Sequence, residues 1–262
     1  MPMGRAAIIA GSGTLPRLVA AALEAPVYVT LDGASAPEGA THVSARIEKL
    51  GRLFKDLRAQ GVTEVTFAGA MVRPKINPVL LDRHALRLAM SLGKGDDALL
   101  REVLALFAEQ GFTVRGAAEL CPDLTLPSGT HWGHAPSPEE TADTDRAQAV
   151  LDALSPLDVG QGAVCAGGQM LGIETVQGTD ALLRFVAQTP ERLRRAKGVF
   201  VKAPKRGQDL RVDMPTIGPE TVAAAIAAGL GGIVIPGGAV IVIERDRVRH
   251  QIEEAGMFLS AQ

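Results

Sequence analysis

Short apolar runs alternate with stretches of helical period through the first 117 residues, and this limits what the chain can become. AAIIA (6–10) is a short buried strand, and GSGTLP (11–16) turns into the helical LVAAALEA (18–25). VYVTL (27–31) is a second strand and THVSARI (41–47) a third. Between 49 and 61, Leu50, Leu53, Phe54 and Leu57 recur at helical spacing and Gly61 closes the run. TEVTFAGA (63–70) is a strand, followed by an Arg73-Pro74 turn. Two helices follow near 79–92 and 95–110, the second starting at Gly95-Asp96, and FTVRGA (112–117) ends the segment as a strand. Strands that alternate with helices predict a parallel, doubly wound sheet.

The second half has a different rhythm. Pro, Ser, Gly and Thr cluster around the single Trp, and 128–140 reads as a linker between a domain at 1–127 and another at 141–262. A helix is expected at 138–154, two short strands about a Gly-Gly turn at 163–175, and a helix at 178–188. A strand at 198–204 and a helix at 219–229 follow, with Pro219 in the helix's first turn. GIVIPGGAVIVIE (232–244) reads as a hairpin, and Asp246 as the cap of a last helix. This is an α+β pattern, not a copy of the first half.

The 262 residues are 47% apolar, enough for a full core, but only 3% aromatic, which disfavours base-stacking platforms. A net charge of −2 leaves no global basic footprint, so no nucleic-acid partner is expected. Cys121 and Cys165 form no metal-ligand or disulfide pattern, which suits a reducing cytoplasm. No run of about 18 apolar residues is present, so a soluble chain without a membrane span is expected. The five histidines lack zinc-ligand spacing, and neither a GxSxG elbow nor a Walker lysine occurs.

Several stretches admit a chemical reading beside a plain one. Gly11-Ser12-Gly13 can bring backbone N–H groups to a phosphate, or can be a tight turn; Pro16 breaks the dinucleotide fingerprint, although Asp32 sits where a ribose-binding acid would. Asp96 and Asp97 either cap a helix or touch substrate hydroxyls or metal. Gly160, Gly162, Gly167, Gly168, Gly172 and Gly178 give residues 157–180 a backbone that a ligand can approach, with Gln161 among them. Glu174 and Asp180 either end a strand and start a helix or converge on one hard cation. Lys202 and Lys205 flank Ala203-Pro204, as a solvated basic loop or as a pair around an anion. Asp213, two residues before Pro215, is either a turn residue or a carboxylate on a stiff rim that binds Mg²⁺ or orients water.

IAGSGTLP (9–16), KGDDALLR (94–101), DVGQGAV (158–164), VQGTDALLR (176–184), VKAPK (201–205) and RVDMPTIGPET (211–221) together resemble the two-domain UDP-2,3-diacylglucosamine pyrophosphatases of lipid A biosynthesis. The resemblance runs in order along nearly the whole chain. It implies an α/β fold: a Rossmann-like N-terminal domain with a parallel sheet and a separate α+β C-terminal domain. It also implies a Mg²⁺-dependent hydrolase that forms UMP and 2,3-diacylglucosamine 1-phosphate. The family's essential aspartate falls on Asp213, while Ala70 stands where relatives have Asn.

On this reading the catalytic candidates are Asp213, Lys202 and Lys205, and the metal candidates are Asp213, Glu174 and Asp180. Gly11, Ser12, Gly13, Thr14, Leu15, Asp96, Asp97, Gln161, Thr179 and Thr216 are the substrate-binding candidates. The expected partner is a UDP-linked diacylated glucosamine lipid, met by a cytoplasmic homodimer that touches the inner-membrane surface in passing. The rival readings are a non-enzymatic nucleotide or lipid carrier and a nucleotide-dependent oxidoreductase.

Overall fold

Apolar runs too short to be helices become the inner strands of two sheets. The structure, a computed structural model, describes residues 4–31, 36–71, 77–91 and 96–262, the side chains of 96–98 excepted. It divides into two units, Met1–Pro122 and Asp123–Gln262.

In the first unit, β1 (Arg5–Ala10), β2 (Val27–Leu31), β3 (Thr41–Ala45), β4 (Val62–Ala68) and β5 (Thr113–Val114) form one parallel sheet. The strand order is β3-β2-β1-β4-β5, the doubly wound order that the alternation implied. Helices α1 (Leu15–Ala22), α2 (Leu50–Ala59), α3 (Arg83–Ala89), α4 (Asp96–Glu109) and the short α5 (Ala117–Leu120) connect or follow the strands. On α2 the four residues at helical spacing, Leu50, Leu53, Phe54 and Leu57, are the buried ones. Four of the seven phenylalanines cluster here. Phe54 and Phe107 meet edge to face at 5.1 Å, Phe107 meets Phe67 at 5.4 Å, and Phe112 packs beside both Phe54 and Phe107. Such geometry suits the ring quadrupoles. The Arg73-Pro74 turn, Asp32 and Gly95 fall outside the described residues.

The second unit is a six-stranded mixed sheet, ordered β6-β13-β11-β9-β7-β8. Its strands are β6 (His131–Gly133), β7 (Gly162–Ala166), β8 (Gln169–Ile173), β9 (Val199–Lys202), β11 (Gly232–Ile235) and β13 (Phe258–Ala261). A separate parallel pair joins β10 (Thr216–Ile217) to β12 (Ile241–Val242). Strands β9, β11 and β13 run parallel, and the antiparallel β7 and β6 flank them. Side chains alternate across the sheet. Val199, Val201, Ala163 and Phe258 pack with Ala147 and Leu151 of α6 (Pro138–Leu154). Phe200 and Val164 pack instead with α7 (Thr179–Ala187), α8 (Pro219–Ala227) and α9 (Arg245–Glu254) through Leu183, Val222 and Val248.

Three expectations change. Residues 128–140 are not a linker: Trp132 is buried in the core, His131–Gly133 pairs with β13, and Ser137 caps α6 by accepting from Glu140 N–H. The 232–244 stretch is not a hairpin, because Gly237 N–H donates to Gln262 and Gly238 N–H to Leu126. Those bonds carry the chain away from β11, and β12 pairs with β10. Asp246 lies in the first turn of α9, where it suits the helix dipole, but the N-cap is Glu244, at φ 51° and without a side-chain cap.

The expected Gly-Gly turn does join β7 to β8, with Gly167 at φ 56° and Gly168 at φ 75°. Glycine is favoured there because both positions of such a turn need positive φ. Asp143 of α6, almost fully buried, holds the turn by accepting from Gly167 N–H at 2.8 Å and Gly168 N–H at 2.7 Å. It also accepts from Cys165 Sγ at 3.2 Å. Burial first, and then this carboxylate, push the Cys165 thiol up to about 12. In the folded protein at pH 8, Cys165 should therefore resist iodoacetamide and become labelled only on unfolding, which mass spectrometry can follow.

Packing is tight between Gly232 and Phe258, where an added Cβ would lie 2.1 Å from the buried ring. Gly232→Ala should cost about 1–3 kcal/mol, read as a lower urea midpoint. An unchanged midpoint would mean that the ring can move aside.

Candidate active site

The parallel strand β9 ends at Lys202, and elements that lie far apart in sequence meet there. Period 2 puts Lys202 on the same face as Phe200, toward α7. The side chain is 4% exposed, and a lysine that buried needs partners. Its Nζ donates to Glu174 Oε2 at 2.7 Å, to Glu174 Oε1 at 3.0 Å and to Thr179 Oγ1 at 2.8 Å. Thr179 Oγ1 donates in turn to Glu174 Oε2 at 3.0 Å. Glu174 follows β8 and Thr179 opens α7, so three elements are tied at one point. Glycines make room for the knot. A Cβ on Gly162 would lie 2.6 Å from Glu174 Oε2, and one on Gly160, itself at φ 56°, would lie 2.0 Å from the Glu174 carbonyl.

The 203–213 loop is held differently. Ala203 N–H donates to the Gln161 carbonyl at 2.9 Å. Gln208 then uses its whole amide. Its Oε1 accepts from Lys205 N–H at 2.9 Å and from Gln161 Nε2 at 3.0 Å. Its Nε2 donates to Asp213 Oδ2 at 2.6 Å and to the Asp213 carbonyl at 2.8 Å. Around this clamp each cation has an acid: Lys205 with Asp158, Arg206 with Asp152 and Arg211 with Asp209. Arg211 holds the Asp209 carboxyl below its ordinary value, and Arg206 does the same for Asp152. Both acids add stability at neutral pH that is lost as the pH falls through their lowered values.

Lys202 and Lys205 therefore do not share one anion between them. Lys202 is spent on Glu174, while Lys205 is paired at the surface, where a pair is worth only about 0–1 kcal/mol and can exchange partners. The three carboxylates expected around a cation are not gathered either. Both Glu174 oxygens face Lys202, Asp180 is exposed in the first turn of α7, and Asp213 lies in the loop. Among the described residues no three His, Cys, Asp or Glu side chains stand close enough to hold a metal ion. Any cation bound here would take one protein carboxylate and fill its shell with water and substrate oxygens, an arrangement that Mg²⁺ accepts. Thr216 Oγ1 donates to the Met214 carbonyl at 3.3 Å, so that hydroxyl serves the turn before β10.

In the first unit the glycine turn of 11–13 lies beside the residues after β4, at the switch point of the sheet. Two of its amides are already used. Gly11 N–H donates to Ala68 at 2.8 Å and Ser12 N–H to Ala70 at 2.9 Å, while Ala70 N–H returns to Ser12 at 3.0 Å. Gly13, at φ 93° with open space around it, is the exposed corner. Thr14 is the N-cap of α1, with no side-chain cap bond, and Leu15 is buried as its first residue. Asp96 and Asp97 begin α4, and their side chains lie outside the described residues.

With this geometry in hand, the comparisons with known proteins decide the family. The model of the LpxI N-terminal domain matches residues 5–124, and that of the LpxI C-terminal domain matches residues 127–260. The chain belongs to the LpxI family. It is 40% identical over 271 aligned positions to the UDP-2,3-diacylglucosamine pyrophosphatase LpxI of Caulobacter vibrioides, covering 98% of this chain and 97% of that one.

Within this LpxI fold, the sequence reading missed Gln208 and Asp158 as partners of Asp213 and Lys205. The one available signal was Gln208 itself, a side chain able to donate and accept within a loop otherwise rich in charge. Removing one member of the buried knot tests its role. Glu174→Ala should cost about 3–5 kcal/mol in urea denaturation by leaving the Lys202 ammonium uncompensated, and the further change Lys202→Met should recover part of that loss.

Proposed function

We propose that this chain hydrolyses the pyrophosphate bond of UDP-2,3-diacylglucosamine to UMP and 2,3-diacylglucosamine 1-phosphate in lipid A biosynthesis. The observation that carries this is the 40% identity, across 98% of the chain, to a relative named for that pyrophosphatase. Water supplies one oxygen to one phosphorus, and the bridging oxygen leaves with the other phosphate. Phosphoryl chemistry of this kind needs positioning and charge neutralisation more than covalent help from the protein.

The second unit offers both. Asp213 accepts a hydrogen bond from the attacking water and orients it. Its position is supported by the Gln208 clamp and by Pro215, which stiffens the following turn. Lys205 and Arg206, each paired with a surface acid, exchange those partners for phosphate oxygens of the substrate. Lys202 acts one step back, fixing the 174–179 turn through Glu174 and Thr179. Mg²⁺ fits as a cofactor held by Asp213 and the diphosphate, where it would neutralise developing charge. Passing contact with the inner-membrane surface belongs to the same reading, because the substrate's acyl chains reside there, and so does a cytoplasmic homodimer. Among the described residues no helix is long and apolar enough to cross a membrane.

The test is incubation of wild type and Asp213→Ala with the substrate, in Mg²⁺ and in EDTA, with UMP and the lipid phosphate followed by mass spectrometry. Products should form with wild type and Mg²⁺, and Asp213→Ala should be slower by at least about 10²-fold while keeping its circular dichroism and melting temperature. Bound, intact substrate and no UMP under any condition would favour a carrier instead.

A further inference from the structure

We propose that Gln208 is a positioning residue that acts through Asp213, fixing the direction in which the carboxylate faces its water. This rests on the pyrophosphatase reading above and concerns a residue that neither the family match nor the relative's name assigns. A primary amide can make four hydrogen bonds, two as donor and two as acceptor. Gln208 makes all four, to Asp213 Oδ2, the Asp213 carbonyl, Lys205 N–H and Gln161 Nε2. The network fixes the amide's orientation. Reversed, its NH₂ would face the Lys205 amide and its oxygen would face both the carboxylate and the carbonyl of Asp213, repulsions in place of bonds.

The clamp also decides what can move. Bonding to both the side chain and the carbonyl of Asp213 holds the residue's χ1 as well as its backbone. The other end is anchored on Gln161, whose carbonyl is bonded to Ala203 N–H directly after Lys202. The direction of Asp213 is thus referred to the end of β9, although Asp213 itself sits in a loop. A carboxylate that must accept from water in one direction gains rate from such fixing, because orientation is paid before the reaction begins.

A double-mutant cycle tests the claim. Single-turnover rates are measured for wild type, Gln208→Ala, Asp213→Ala and the double variant, each checked for folding by its melting temperature. Gln208→Ala should lower turnover roughly tenfold to hundredfold, as expected for losing a hydrogen bond to a charged group. In the Asp213→Ala background the same change should cost nothing further. An equal cost in both backgrounds, or wild-type turnover in Gln208→Ala, overturns the proposal. Full turnover in Asp213→Ala is a different result: it overturns the role of Asp213, and the proposal with it, while the hydrolysis stands, whereas no turnover in wild type overturns the functional reading itself.

A second readout separates positioning of water from binding of substrate. Gln208→Ala should lower kcat and leave KM near the wild-type value, a split that a loosened binding loop would not produce. A raised KM with unchanged kcat counts against the proposal.

Discussion

The buried contact of Lys202 with Glu174 and Thr179 is what the rest of the second unit is arranged around. A lysine at the end of a core strand is costly unless its charge is met, and here a carboxylate and a hydroxyl meet it. The requirement reaches outward. Gly160 and Gly162 must lack side chains so that Glu174 can come close, and α7 must start at Thr179 rather than elsewhere. A motif that reads as a phosphate-facing lysine in the sequence is, in three dimensions, a joint. Asp213 and its clamp then hang from the loop that follows that joint.

Two kinds of charge therefore live within a few residues of each other. The buried pair is rigid and serves architecture. The surface pairs of Lys205, Arg206 and Arg211 are cheap to open and offset the charge of the loop. Such a division lets a basic loop exist without repelling itself.

Much of the architecture was legible in the sequence because it depends on period. The strand–helix alternation of the first unit, the buried face of α2, the 138–154 helix and the Gly-Gly turn all follow from local spacing and glycine chemistry. What was not legible depends on pairing between distant segments. The residues taken for a linker form an edge strand because β13 lies beside them, and the apparent hairpin of 232–244 is undone by bonds to Leu126 and Gln262. At the candidate site the types of residue were readable but their partners were not. Nothing in the spacing of Glu174 and Lys202 shows that each neutralises the other, and Gln208 carries no mark of its role outside the folded loop.

The turn at Gly11-Ser12 has a consequence for how this chain can change over time. Its lock to the end of β4 is made of backbone atoms: Ser12 and Ala70 exchange N–H and carbonyl bonds, and Gly11 bonds to Ala68. A lock of that kind is blind to the side chain at 70, so it is compatible with the alanine found there. It is severe at its neighbours, since any side chain on Gly11 or Gly69 would run into the opposing backbone within 2.5 Å. Inheritance at this corner is thus free in one residue and closed in the two beside it.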